Sequence, residues 1–109
     1  MINKKYHYVI LHGYTGSGDR NGPAAGSSYN WRRWLKNKLT QDGHTVFCPD
    51  LPNTAAPNID EQVDYVLKNT EINEDTILIG HSLGSVVIYK LLERLNKKVT
   101  KVLLVDRIL

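Results

Sequence analysis

The stretch Ile77–Ser85 limits the fold of this chain more than any other segment, because a strand-like run turns there into a helix pattern. Its aliphatic residues end in Gly-x-Ser-x-Gly, with Ser82 at the centre, and apolar residues at helical spacing follow from Val86 to Leu95. A nucleophilic serine on such a sharp strand-to-helix turn sits in a strained backbone conformation and needs small neighbours. The sequence therefore predicts that Ser82 is a nucleophile at the apex of a tight turn.

The residues around Ser82 each have a predicted role in this turn. Gly80 and Gly84 are expected to let the incoming strand and the outgoing helix approach each other closely. His81 leaves the turn beside the serine, and we interpret it as a packing or shaping residue, not as the general base. A bare Gly-x-Ser-x-Gly pattern also occurs by chance, so the interpretation depends on the strand before it and the helix after it.

The rest of the chain alternates strand and helix patterns, which predicts an α/β fold of three layers, α/β/α, with a parallel sheet. Continuous apolar runs in the strands indicate that both faces of this sheet are covered. Asn58 is a predicted N-cap with Glu61 three residues on, as in a capping box, and Gly43 is a predicted helix stop. The predicted strands are 6–11, 44–48, 76–79 and 99–105, and the predicted helices are 31–39, 59–67 and 83–96.

Three polar loops follow predicted strands, at residues 12–18, 49–53 and 80–85. In parallel α/β sheets the chemistry gathers at the carboxyl ends of the strands. We therefore expect these loops to meet at one edge of the sheet and to form the functional site there.

The glycine loop after the first strand also resembles nucleotide-binding loops, but its spacing disagrees with both common kinds. For a dinucleotide-binding loop, Gly22 comes one place late and the helix begins only near Ser28, too far on to receive a pyrophosphate. For a phosphate-binding P-loop, Gly13 and Gly18 are correctly separated, but Asp19 stands where a lysine is needed. Neither interpretation is favoured.

An acyl-transfer serine gives the same loop a different role, because the developing oxyanion needs backbone N–H donors. The segment His12-Gly13-Tyr14 is placed to supply one, so that the Tyr14 amide pairs with the Leu83 amide as an oxyanion hole. His12 and Gly13 would then support the loop. An ordinary glycine turn with a purely structural role is the alternative.

Composition narrows the class of protein. The chain has 109 residues and a net charge of +3, with lysines too scattered to predict a nucleic-acid surface. One cysteine, Cys48, excludes an internal disulfide and fits a reducing compartment. No segment approaches the roughly 20 apolar residues of a membrane span, and the first residues lack a signal-peptide core. We expect a single domain in the cytoplasm, without nucleic-acid or membrane partners.

Together these motifs resemble the α/β-hydrolase superfamily, and most of all the small serine hydrolase family typified by retinoblastoma-binding protein nine. The similarity runs from about residue 6 to residue 105, which corresponds to the N-terminal part of that fold. It implies a serine hydrolase acting on a small ester or amide, with a Ser-Asp-His triad and neither a cofactor nor a metal. The matching segments are His12-Gly13, Tyr29–Leu35, Pro49–Asn53, Ala56–Asn58 and Ile79–Ser85.

The chain departs from that family where the rest of the triad is expected. Members place the histidine near the C-terminus, whereas none of the four histidines here lies beyond the Ser82 motif. Asp106, after the fourth strand, is a candidate acid by position, although capping the strand end is the simpler role. Without a base Ser82 keeps the weak nucleophilicity of an alcohol, so we expect the isolated chain to be inactive.

Two functions remain open. In the first, residues 1–109 are a single incomplete α/β-hydrolase domain, a truncated fold with four strands that carries the nucleophile of a serine hydrolase. In the second, the chain is a non-catalytic binding module of the same fold. The first is favoured because no terminating helix follows the fourth strand.

The fourth strand, residues 99–105, is expected to become an exposed sheet edge. The family's strand order would place the first and third strands at the centre of the sheet. The second strand would lie outside the first, and the fourth strand outside the third. An apolar edge recruits other strands, which predicts self-association through it. Leu103 is expected to point into the core.

Overall fold

The computed structural model describes residues 4–12, 30–53 and 56–105, and these contain every predicted element. Compared with the prediction, the first strand is one residue shorter, the second and fourth are each two residues shorter, and the third is two residues longer. No helix in the described ranges is long and apolar enough to cross a membrane. The elements are β1 (His7–Leu11), α1 (Asn30–Gln41), β2 (Thr45–Phe47), α2 (Ile59–Asn69), β3 (Thr76–His81), α3 (Leu83–Leu95) and β4 (Lys101–Val105).

The four strands form one parallel sheet in the order β2-β1-β3-β4. The predicted parallel α/β architecture and the predicted strand order are confirmed. In the register of the central pair, His7 lies beside Thr76 and Leu11 lies beside Gly80. The carboxyl ends of β1 and β3 therefore meet at one edge, where the polar loops after these strands begin.

Helices cover the two faces of the sheet unequally. On one face, α2 and α3 pack over Val9, Leu11 and Leu78 to form the main core. On the other face, α1 packs against β2, and its apolar residues join the smaller cluster around Ile10 and Ile79. The helices lie on opposite faces because parallel crossovers all have the same hand. The chain moves in one direction across the sheet from β1 to β2, and in the other direction from β2 to β3 and on to β4.

The helix ends follow from local chemistry. The side-chain oxygen of Asn58 accepts the Glu61 N–H at 3.0 Å, so the predicted N-cap of α2 is present. The Glu61 carboxylate, however, accepts the side-chain amide of Asn53 at 2.6 Å, so its contact ties α2 to the preceding loop. Gly43, with φ of +92°, follows α1, and Asn96, with φ of +52°, ends α3 in the left-handed conformation.

The orientation of β4 corrects one prediction. Val102 and Leu104 pack against the main core, whereas Leu103 is 50% exposed on the opposite face. The expectation that Leu103 points into the core was therefore wrong. All three residues are apolar, so the sequence offers no alternation from which the buried face could be identified.

Candidate functional site

Ser82 is the single residue between β3 and α3, so the predicted sharp turn is present. Its φ of +56° and ψ of −121° lie in a region that L-residues other than glycine rarely adopt. Such a backbone costs about 1–3 kcal/mol and persists only where the surroundings enforce it. The residue is partly exposed at the carboxyl edge of the sheet.

The two glycines of the motif enforce this turn through different contacts. A Cβ atom on Gly80 would lie 2.8 Å from the Ile88 Cδ1 atom and 2.9 Å from the Gly84 carbonyl oxygen, so Gly80 admits α3 against β3. A Cβ atom on Gly84 would lie 2.5 Å from the carbonyl oxygen of Leu11 and 2.8 Å from that of His12. Gly84 therefore lets α3 approach the end of β1, a neighbouring strand that the sequence motif does not reveal.

Hydrogen bonds hold the turn on both sides of the serine. The Ser82 N–H donates to the Val105 carbonyl at 2.9 Å, which connects the turn to the end of β4. The Ser85 N–H donates to the Ser82 carbonyl at 2.9 Å, and the Ser85 hydroxyl donates to the Gly80 carbonyl at 3.2 Å. The backbone of Ser82 is thus fixed by an adjacent strand and by the first turn of α3.

The helix that starts beside Ser82 contains Leu83, which the sequence predicted as one donor of an oxyanion hole. Leu83 is the first residue of α3, and the first N–H groups of a helix have no acceptor within it. Their partial positive charge favours an anion at this position. The other expected donor, Tyr14, together with Gly13 and the candidate acid Asp106, lies outside the described residues.

His12 stands at the end of β1 and is 1% exposed. Its Nε2 atom accepts the Leu51 N–H at 3.0 Å. A ring nitrogen that accepts a hydrogen bond carries no proton, so this imidazole is neutral, with its proton on Nδ1. The contact joins the start of the glycine loop to the loop after β2, which agrees with a supporting role for His12.

Two other histidines lie at the opposite, amino edge of the sheet. The ring nitrogens of His7 lie 2.6 and 2.7 Å from the Thr45 and Thr70 hydroxyls. The Nδ1 atom of His44 accepts the Tyr6 N–H at 3.0 Å. Because His7 is level with Thr76, six residues before Ser82, about 20 Å of strand separates it from the serine. Neither histidine can serve as a base for Ser82.

The amino edge also contains a cavity of about 480 Å³, lined by His7, Thr45, Asn69, Thr70, Glu71 and Asn73. It lies away from the turn, and its lining side chains carry two hydroxyls, two amides, an imidazole and a carboxylate. Within the described ranges, no three histidine, cysteine or acidic side chains form a group that could hold a metal ion.

Arg32 is a buried residue near the site edge that sequence reasoning missed. It lies in the first turns of α1, is 4% exposed, and sits near Cys48 and Asp50 at the end of β2. Burial lowers the pKa of the Arg32 guanidinium, while the nearby Cys48 and Asp50 act in the opposite direction. Its neighbour Arg33 is exposed, and nothing in the Trp-Arg-Arg-Trp sequence distinguishes the two.

Comparisons with known proteins support the fold. The profile of the α/β hydrolase fold family matches residues 6–107. The chain is 33% identical over 88 residues to YdeN of Bacillus subtilis (strain 168), whose name designates it provisionally as a hydrolase. The crystal structure of the ydeN gene product superimposes with a TM-score of 0.69 at 28% identity. Polyneuridine aldehyde esterase superimposes with a TM-score of 0.66 at 21% identity, which shows the fold alone.

These matches span most of this chain but only part of each relative. The match to YdeN takes in 80% of this chain and 42% of YdeN by sequence, and 94% and 50% by structure. The esterase match takes in 93% of this chain and 40% of that protein. The narrower resemblance to the family of retinoblastoma-binding protein nine stays a prediction. At the level that the family profile and the fold establish, this chain belongs to the α/β-hydrolase fold family.

Proposed function

We propose that this chain is the nucleophile-bearing part of a serine hydrolase that acts on carboxylic esters, with Ser82 as the nucleophile. The observation that carries the proposal is the backbone of Ser82, a non-glycine residue at φ of +56° between β3 and α3. Strain of this kind clusters at functional sites, where it is part of the mechanism. The hydrolase relative YdeN, 33% identical, supports the reaction class.

The surroundings of Ser82 suit acyl transfer. In the proposed reaction the Ser82 oxygen attacks the acyl carbon of the ester, and the hydroxyl proton passes to a general base. The carbonyl oxygen becomes an oxyanion that the Leu83 N–H, in the first turn of α3, would stabilise. The base then returns the proton to the departing alcohol, and water releases the acid from the serine by the same steps in reverse.

The base and its orienting acid are proposed to come from the part of the fold that the chain does not match. Of the four described histidines, His7 and His44 lie at the other edge of the sheet, and Nε2 of His12 accepts the Leu51 N–H. The fourth, His81, is the last residue of β3, directly before Ser82, and we propose for it the shaping role that the sequence predicted. A serine without its base retains only the residual catalysis of the oxyanion hole and binding. We therefore expect negligible ester turnover from the 109-residue chain alone.

The experiment uses a chimera in which this chain is fused to the half of the ydeN gene product that the structural match leaves uncovered. A fluorophosphonate probe, which reacts with activated serines, is expected to label the chimera, and Ser82→Ala is expected to abolish labelling. Ser85→Ala is the matched control, since it removes the hydroxyl of a second serine near the same turn, one that donates to the Gly80 carbonyl. Labelling that survives Ser82→Ala would refute the proposal.

A non-catalytic binding module is the second candidate, favoured by the hydrogen bonds and positions of the three histidines discussed above. In that case a folded chimera would remain unlabelled while still binding a slowly hydrolysed ester analogue. The same preparation therefore separates the two candidates: labelling at Ser82 supports the hydrolase, and binding without labelling supports the module.

A further inference from the structure

Gln62 is a polar residue at a buried position of α2. Its side chain is 2% exposed, and the neighbouring buried positions of the helix are Val63 and Val66, which belong to the main core. A buried amide costs free energy unless it is hydrogen-bonded. The Gln62 Nε2 atom donates to the Pro52 carbonyl at 2.9 Å. Because an apolar side chain could occupy this position without that cost, the contact with Pro52 is what glutamine specifically provides.

The contact of Gln62 holds the loop after β2, residues 49–53, against α2. Glu61 also contacts this loop, because its carboxylate accepts the side-chain amide of Asn53, but that contact lies at the surface. Water competes for exposed hydrogen bonds, whereas a donor shielded from water holds its acceptor more firmly. Gln62 is therefore the stronger of these two restraints.

The residue before Pro52 carries the restraint onward to β1. Leu51 is buried, and its N–H donates to the Nε2 atom of His12 at 3.0 Å. The ring of Pro52 fixes its own φ, so the short segment between the Leu51 N–H and the Pro52 carbonyl is stiff. Holding the Pro52 carbonyl therefore helps to fix the direction in which the Leu51 N–H points at His12.

His12 also lies against the helix that begins beside Ser82. Its carbonyl oxygen would be only 2.8 Å from a Cβ atom at Gly84, so the backbones of β1 and α3 are in close contact there. Gly84 is two residues after Ser82 and directly follows Leu83, the proposed oxyanion donor. The imidazole that Leu51 holds and the carbonyl that borders α3 belong to the same residue. A shift of the loop after β2 would therefore reach the turn at Ser82 through His12.

We propose that Gln62 is a positioning residue for Ser82, which holds the loop after β2 so that His12 keeps the first turn of α3 in place. In this role Gln62 acts through Pro52 and His12 and does not touch the substrate. Its effect on the geometry of the turn is independent of any reaction, whereas its effect on catalysis rests on the proposed function. A displacement of about 1 Å caused by a distant mutation can slow a reaction about a hundredfold, so such a restraint bears directly on reactivity.

The first measurement is amide hydrogen exchange in the 109-residue chain with Gln62→Met, which keeps the length of the side chain and removes the donor. The Leu51 and Ser85 amides are expected to exchange at least about tenfold faster than in the unmodified chain. Leu51 reports on the contact with His12, and Ser85 reports on the first turn of α3. Gln62→Asn, whose amide falls one methylene short of Pro52, is a second variant expected to act in the same direction.

Thr76→Val is the matched control for general loss of stability. Thr76 is fully buried, and its hydroxyl accepts the Asn73 N–H at 2.9 Å at the opposite, amino edge of the sheet. Valine has the same shape without the acceptor, so this variant also removes a contact between a buried side chain and the backbone. It is expected to leave the exchange of the Leu51 and Ser85 amides within about twofold of the unmodified chain.

The second measurement is fluorophosphonate labelling of the chimera at increasing probe concentration. Gln62→Met is expected to lower the maximal labelling rate of Ser82 at least about tenfold. The probe concentration that gives half of the maximal rate should stay within about twofold, because the variant disturbs the geometry of attack and not the binding of the probe. Thr76→Val is expected to change neither quantity.

The outcomes separate this proposal from the proposed function. Unchanged exchange of the Leu51 and Ser85 amides in Gln62→Met would overturn it, as would an unchanged maximal labelling rate or an equal effect of Thr76→Val. If the unmodified chimera is not labelled, the hydrolase function fails, and the exchange of Ser85 decides the positioning role alone. Faster exchange in Gln62→Met, and not in Thr76→Val, would then uphold it.

Discussion

Because Gly84 contacts the end of β1, we predict that replacing it by alanine destabilises the fold, whereas helix propensity alone predicts that it stabilises. In an ordinary helix, replacing glycine by alanine stabilises by up to about 1 kcal/mol. Here the new Cβ atom would lie 2.5 Å from the Leu11 carbonyl oxygen and 2.8 Å from the His12 carbonyl oxygen. Both are backbone atoms at the end of a central strand, so no side-chain rotation can relieve the clash.

The magnitude follows from how the structure would have to yield. Restoring even a 3.0 Å separation from the Leu11 oxygen requires α3 to move by about 0.5 Å. That movement loosens the packing of Val87, Ile88 and Leu91, which are the fully buried residues of α3 itself. Overpacking typically costs 1–3 kcal/mol, and the rigid contact places this case at about 3. After the gain in helix propensity, Gly84→Ala should lower the free energy of unfolding by about 2 kcal/mol.

Urea unfolding followed by circular dichroism measures this change. With the urea dependence usual for a chain of this size, a loss of about 2 kcal/mol moves the midpoint down by about 1 to 2 M. Val86→Ala is the control, because Val86 is two residues further along α3 and 41% exposed, so its change should stay within about 0.5 kcal/mol. A Gly84→Ala midpoint equal to or above that of the unmodified chain would refute the close approach of α3 to β1.

Three further changes test the local chemistry. Burial lowers the pKa of His7 below its usual 6.5, against the opposing effect of Glu71, so the unfolded chain binds this proton more readily than the folded chain. The free energy of unfolding should therefore fall as the pH drops below about 6.5, and it should fall less steeply in His7→Gln. Urea midpoints measured at several pH values test this. Asn58→Ala should cost about 1 kcal/mol by the same assay, and Asn58→Ser should recover most of it. Ser82→Gly should have a free energy of unfolding about 1 kcal/mol higher than that of Ser82→Ala, and so a higher urea midpoint, because glycine adopts a positive φ without strain.

Short-range patterns were sufficient to predict the elements and the turn. The apolar runs of β1 and β3, the cap at Asn58 and the glycines beside Ser82 each depend on residues a few positions apart, and these were found as expected. The strand order came from the resemblance to a known fold. Because parallel crossovers have one hand, that order also determines which face each helix covers.

Contacts between distant segments could not be derived in the same way. The burial of Arg32 and the contact from His12 to Leu51 join segments that only the folded sheet brings together. Leu103 was misplaced because a strand with apolar residues on successive positions fits either face equally well. In each case the residue type was visible, but its neighbours depended on the tertiary arrangement.

The position of Ser82 depends on both strands that flank β3. On one side Gly84 brings α3 onto the end of β1, and on the other the Val105 carbonyl holds the Ser82 N–H. The β1 side is fully packed, with Leu11 completely buried, whereas the β4 side ends in half-exposed residues. Local opening is easiest where few buried contacts oppose it, so the Val105 contact is the weaker of the two. The strained backbone of Ser82, on which its proposed reactivity depends, is therefore most easily disturbed from the β4 side.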